Sequence, residues 1–378
     1  MASSADPRDT VRARPTAWHA VAVGAWLLLL AAIWWNQGVL EDKEAIKYTT
    51  CAKQVLAGDF HDLTSNYAKY GAYVVFLLPA LALGQVWIAV VAQAALSLAA
   101  AFALERIVRP MAGMRAARWA FTAFLLMPLV QQWVLALYTE SFFISMSLLF
   151  LERIMRPSPG WLPTAAFALA VLFARPVGML FVAPAILWLG KERGWYGGPA
   201  FAAANAAILV IAISMPGIRR AQLEPIVEGQ VICGFTEQPA AAVDFQGSSI
   251  LAAQVHLFRN HSFAYAAGLI PRRMAAMLFP VRPYFSPPHN ALNLFYCLLY
   301  PLAVAGIRRK WDARGMPLLV AIGAVYILLV GLTHAEWSMR FLAVLLPIIL
   351  LAAACGLPGM PRWHGPGVAA QVHSTASA

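Results

Sequence analysis

The stretch of the chain best equipped for chemistry is Glu41-Asp42-Lys43-Glu44-Ala45-Ile46-Lys47-Tyr48. On a helix, Glu44 and Tyr48 share a face, because residues four apart are neighbours there. A carboxylate in that setting can take a proton from a hydroxyl, the work of a general base. The plainer reading is a solvated helix start whose acidic residues are favoured by the helix dipole. Spacing alone favours the plainer reading, while location keeps the sharper one open. The segment follows an apolar stretch from Ala17 to Trp35, and charge at the border of such a stretch is costly enough to mark a functional candidate.

The elements that must position these groups are apolar almost throughout. Of 378 residues, 61% are hydrophobic and 12% charged, with mean hydropathy +0.67, against roughly 25% charge in an average soluble domain. A water-soluble enzyme and a disordered chain are both excluded. The apolar runs are too continuous for a transmembrane barrel. An all-α, polytopic membrane protein remains. After residues 17–35, runs follow at about 86–105, 117–137, 138–152, 161–174, 177–190, 199–215, 289–307, 316–333 and 340–356.

The cations sort by side. Lys and Arg number 28 against 17 Asp and Glu, a net charge of +11, which in a soluble protein would suggest nucleic acid. Here Arg106, Arg109, Arg115, Arg118, Arg153, Arg156, Lys191, Arg193, Arg308, Arg309, Lys310 and Arg314 all fall on one side of an alternating topology, as cytoplasmic loops require. The excess therefore needs membrane lipids and no nucleic acid. Parity demands a single crossing between 71 and 105, so Gly71–Gly84, broken by Pro79, is expected as an interfacial or re-entrant helix. The result is one domain over 1–356 with ten spanning helices, outside loops at 37–85 and 216–288, and a flexible tail at 357–378. Arg8, Arg12 and Arg14 precede the first crossing, which no small-residue cleavage site follows.

Other motifs are sparse. Cys51, Cys233, Cys297 and Cys355 show no metal spacing, and a Cys51–Cys233 disulfide is one weak option outside. His334 with Glu336 could form part of a metal site, but two ligands do not make one. There is no internal repeat, no glycine-rich phosphate loop and no Gly-x-Ser-x-Gly elbow.

Several spaced motifs together resemble the GT-C-type integral membrane glycosyltransferases, which use polyprenyl-phosphate sugars and include aminoarabinose transferases and protein O-mannosyltransferases. They are Glu44…Tyr48…Ala52…Leu56-Ala57-Gly58-Asp59, Leu137-Tyr138-Thr139-Glu140-Ser141-Phe142-Phe143, Ala174-Arg175-Pro176-Val177-Gly178, and Glu336-Trp337-Ser338-Met339-Arg340-Phe341 with Leu346-Pro347. The resemblance spans about 17–355 in order and spacing. It implies interfacial helices in the first outside loop, an active site at the outer face of a bacterial inner membrane, and inversion at the anomeric carbon.

Carried over, Glu44 falls where the family's catalytic Asp stands, one methylene longer, with Asp42 the fallback. Tyr48 shares its face. The leaving lipid phosphate needs cations: Arg340, Arg175 and Lys69 first, with Arg272, Arg273 and Arg282 in the large loop behind them. Glu140 would orient a site residue, bind a sugar hydroxyl or help hold a divalent metal. For these cations the plainer readings are snorkelling, helix capping and headgroup contact. The expected partners are a polyprenyl-phosphate sugar donor and a lipid or glycan acceptor. A lipid-linked glycan polymerase or ligase is the nearer rival, and a flippase the more distant one, since few charges lie inside the runs.

Overall fold

The computed structural model describes residues 16–234 and 245–358. Arg8, Arg12, Arg14 and all but the first two residues of the 357–378 tail lie outside them. Among the described residues every regular element is helical, and the only strand-like pairing is two isolated parallel bridges, Leu40 with Ala136 and Ile232 with Ala335. The all-α expectation holds.

The helices run in chain order as α1 Ala17–Gln37, α2 Glu44–Leu56, α3 His61–Ser65, α4 Gly71–Ala82, α5 Val86–Leu125, α6 Pro128–Gln131, α7 Thr139–Ile154, α8 Trp161–Leu172 and α9 Met179–Glu192. Then come α10 Gly198–Ser214, α11 Arg220–Val227, α12 Ile250–Asn260, α13 Phe263–Leu278, α14 Pro287–Tyr296, α15 Leu299–Arg309, α16 Met316–Leu332 and α17 Arg340–Gly356. Local chemistry sets several ends. Thr16 and His19 form a reciprocal cap at the start of α1, and Gly38 at φ +67° ends it. In α5, Gly113 at φ 86°, ψ 173° breaks the helix into limbs 86–112 and 114–125, a conformation glycine adopts at little cost. That break falls amid Arg106, Arg109, Arg115 and Arg118, where the charge pattern required a turn.

Among the described residues, three helical stretches can cross a membrane by length and composition: Ala17–Gln37, Val86–Leu125 and Pro287–Arg309. The expected ten are not reached on that measure, because other apolar runs fold as helices of 10–17 residues, short of the roughly 20 that a 30 Å hydrocarbon core asks for. The run at 117–137 shows one cause. It stops being α-helical at Leu125, restarts at Pro128 for one turn, tightens into a 3-10 turn over Gln132–Leu135, and only then extends so that Ala136 pairs with Leu40. Gly71–Gly84 is helical over Gly71–Ala82, as expected, and packs on α2 and α5.

Buried polar side chains fasten the core. Gln93 of α5 donates to the carbonyls of Val134 and Ala136, both at 3.0 Å, holding the extended segment. Gln131 accepts from Trp26 of α1 at 2.9 Å and from Ser97 of α5 at 3.1 Å. Such pairs satisfy groups that would otherwise be costly in an apolar interior. Helices α15 and α17 pack backbone to backbone: a Cβ at Gly306 would overlap the Ala352 carbonyl, and one at Gly356 that of Leu302. The suggested Cys51–Cys233 disulfide is not formed. All four thiols are free, and Cys51 is buried in α2.

Candidate functional site

Two backbone bridges build the site. Leu40 N donates to the Leu135 carbonyl at 2.9 Å, and Leu137 N to the Leu40 carbonyl at 3.0 Å. This sets the Asp42–Glu44 turn beside Tyr138 and Glu140 at the start of α7. Cys233 N donates to the Ala335 carbonyl at 2.8 Å and Ala335 N to the Val231 carbonyl at 2.9 Å. That clamp ties the large loop to the α16–α17 turn carrying Glu336 and Arg340. Arg175 arrives on a hairpin closed so tightly that a Cβ at Gly178 would meet the Val171 carbonyl.

Around this junction an ion-pair chain crosses three elements. Glu140 Oε1 lies 2.8 Å from an Arg175 Nη and 3.7 Å from an Arg340 Nη. Arg340 Nε lies 3.4 Å from Glu336 Oε1. The other oxygen, Oε2 of Glu336, accepts from Ser338 N at 2.7 Å and Ser338 Oγ at 2.5 Å. It holds a turn in which Met339 takes φ +65°. Burial is graded: the side chains of Glu140, Arg175 and Arg340 are 2%, 12% and 23% exposed. Arg340 is therefore the guanidinium that an incoming group can best reach.

Glu44 stands in the first turn of α2. Its Oε1 accepts from Lys47 Nζ at 2.8 Å and its Oε2 from the Tyr48 hydroxyl at 3.4 Å. Burial works against its ionisation, but the Lys47 bond and charge, with Arg340 behind them, hold the carboxyl below its ordinary 4.5. It is thus ionised and able to accept a proton at neutral pH. Burial first, with Tyr70 and the carboxylates of Glu140 and Glu44 adding to it, drives the Tyr48 phenol far up, so it remains a donor. Asp42 is exposed and accepts from the Tyr138 hydroxyl at 3.3 Å.

The structure thus brings Glu44, Asp42, Tyr48, Glu140, Arg175 and Arg340 together. Lys69 stands on the rim, exposed, with Nζ 5.8 Å from the centre of the Tyr70 ring; burial and nearby Arg219 lower its pKa. The large-loop arginines are differently placed. Arg273 is fully buried and donates to the carbonyls of Gln230 at 2.8 Å and Ile226 at 3.3 Å. Arg282, 3% exposed, donates to the carbonyls of Phe279 at 2.7 Å, Val281 at 3.1 Å and Ala276. Both are struts inside the loop. The substrate-binding role expected of Arg273, and Arg282 behind it, is corrected on that ground: backbone carbonyls occupy donors that a phosphate would need. Arg272, next along α13, is exposed.

An aromatic wall completes the site and was not foreseen. Tyr48 lies 5.3 Å from Tyr70 and 5.5 Å from Tyr73, ring centre to ring centre. Tyr326 of α16 is within electrostatic reach of Arg175 and Glu140. The signal for Tyr70 and Tyr73 was their spacing of three, which sets both on one helical face; Tyr326, inside an apolar run, gave none. His334 lies against the Phe341 ring, centres 6.2 Å apart, with Nδ1 3.2 Å from the Ala335 carbonyl oxygen. Among the described residues no three His, Cys, Asp or Glu side chains converge to hold a metal ion.

Compared with family models, curated proteins and solved structures, the chain finds no match.

Proposed function

We propose that this chain is a polytopic membrane glycosyltransferase of GT-C type. It would move a sugar from a polyprenyl-phosphate donor to a hydroxyl or amine of a lipid or glycan acceptor at the outer face of a bacterial inner membrane. The observation that carries this reading is one junction holding an ionised carboxylate, Glu44, beside two guanidiniums bridged by a buried one, Glu140. An active site for lipid-phosphate leaving groups needs both halves: a base for the acceptor and fixed positive charge for the phosphate.

In the step itself, the acceptor oxygen or nitrogen attacks the anomeric carbon as the bond from that carbon to the phosphate oxygen breaks. The electron pair leaves on the phosphate, which Arg340 meets, with Arg175 behind it. The acceptor's proton passes to Glu44. A carboxyl held below 4.5 is a weak base, which suits a transition state where leaving-group departure runs ahead of proton transfer. Glu140 fixes both arginines, and the tyrosines offer ring faces and hydroxyls to a sugar. The ten crossings inferred from charge parity belong to this proposal, the helices of 10–17 residues crossing at a tilt or in a locally thinned bilayer.

The test uses purified protein in vesicles with a synthetic polyprenyl-phosphate sugar. Free polyprenyl phosphate should appear only when acceptor is present. Glu44→Gln should lower turnover by about 10²–10⁴-fold, the usual range for a general base, without moving the melting temperature. Near-normal turnover in both Glu44→Gln and Glu44→Ala would overturn the assignment of Glu44. Donor consumption without acceptor, or donor translocation without bond cleavage, would overturn the transferase reading itself.

A further inference from the structure

At the opposite end of α1 lies a second feature that the proposed transfer does not use. A cavity of about 450 Å³ is lined by Trp18, Arg115, Arg118, Trp119, Thr122 and Ala123. Its five α5 residues form one stripe on the 114–125 limb, at spacings of three and four. Trp18 closes it from the first turn of α1. Most of the lining is apolar, yet two polar atoms within these residues are buried and unpartnered: Arg118 Nε and Thr122 Oγ1. Buried polar atoms left without a partner are costly, and two on one face of one cavity point to a missing ligand.

Charge and shape describe that ligand. Two guanidiniums three residues apart, one with a free Nε, match the fork that binds phosphate bidentately. The apolar wall and the two lining indoles match acyl chain and glycerol near a membrane surface. Position agrees as well. The cavity and the Glu44 junction are separated by the 21 residues of α1, about 30 Å at the helical rise and hence one hydrocarbon thickness. The cavity also falls among the cations that sort to the cytoplasmic side. We propose that it is a binding site for one anionic glycerophospholipid, with phosphate on Arg118, Arg115 and Thr122 and an acyl chain along Trp18 and Trp119.

The experiment is native mass spectrometry of the full chain with phosphatidylglycerol or phosphatidylcholine at matched concentration, read against melting temperature in the same lipids. Wild type should retain one phosphatidylglycerol preferentially and melt higher with it. The double variant Arg115→Ala/Arg118→Ala should lose that preference by roughly thirtyfold, at the usual attraction of each arginine for an anionic surface. Arg118→Lys, which keeps charge but not the fork, should lose part of it, and Thr122→Val less. Equal retention of the two lipids by wild type would overturn the proposal. So would an unchanged preference in the double variant, or displacement of the lipid by millimolar inorganic phosphate, which would make this a free-anion site. A double variant that unfolds leaves Arg118→Lys and Thr122→Val to decide, since both are mild and full retention by both would equally overturn it.

Discussion

The junction and the large loop each bury arginines, and they solve the same electrostatic problem in opposite ways. Arg175 and Arg340 face carboxylates, on a chain from Glu140 to Glu336 that stays open to solvent on the Arg340 side. Arg273 and Arg282 face backbone carbonyls and are sealed in. Carbonyl partners take up part of a guanidinium's directional donors while leaving its charge uncancelled, and burial accordingly pushes Arg273 down to about 10. Carboxylate partners cancel the charge, and a rearrangement can release donors to another anion. An arginine on carbonyls is therefore a strut, and one shared by two carboxylates is a movable cation.

The largest effect should come from breaking the shared charge. Glu140→Gln strands Arg175, 12% exposed, and leaves Arg340 with Glu336 alone, and removing one partner of a buried pair costs about 3–5 kcal/mol. Thermal unfolding should show a clear drop in stability, and sugar transfer should fall with it. Pairing the change with Arg175→Gln should restore much of the stability and none of the transfer. If the double variant is no more stable than Glu140→Gln alone, the ion-pair chain is not the source of the cost.

Arg273→Ala should come next. It leaves the Gln230 carbonyl unmet, at about 1–3 kcal/mol when buried, while the Ile226 carbonyl keeps the Gly229 N–H at 3.1 Å. Denaturation should register that loss, while turnover per folded molecule stays near wild type. A specific loss of donor affinity in folded Arg273→Ala would erase the contrast between strut and movable cation.

Much of this architecture was written in residue types, and some was not. Helix α10 at Gly198–Ser214 and α17 at Arg340–Gly356 match their apolar runs to within a residue, because hydropathy alone decides them. Glu140, Arg175 and Arg340 stood out as charges stranded between such runs. Their convergence was invisible, since it rests on the Leu40–Ala136 and Ile232–Ala335 bridges, and one of these lies in a segment whose composition favours helix. Gln93, pinning Val134 and Ala136 from within an apolar run, is equally silent in sequence. Arg272 and Arg273 look alike as letters; only the face of α13 that packs inward separates a buried strut from an exposed cation.

The smallest effect tests the movable-cation side most delicately. Lys47 is half exposed, its side chain at 52%, yet it donates to Glu44 at 2.8 Å and leads the contributions that hold this carboxyl down. An exposed pair contributes little to stability, so Lys47→Ala should leave the melting temperature almost unmoved. The Glu44 carboxyl, however, loses its counterweight to burial and must rise. Activity requires the ionised form, so the acidic limb of kcat/KM, below pH 4.5 in wild type, should move to higher pH while turnover at neutral pH stays close to normal. Salt supplies the internal check: exposed charges are screened within about 10 Å at 0.1 M, so raising ionic strength should move the wild-type limb towards that of the variant. A limb that ignores both the substitution and salt would mean that another group titrates. Asp42, which accepts from the Tyr138 hydroxyl at 3.3 Å, would then take the place of base, and Asp42→Asn rather than Glu44→Gln would abolish turnover.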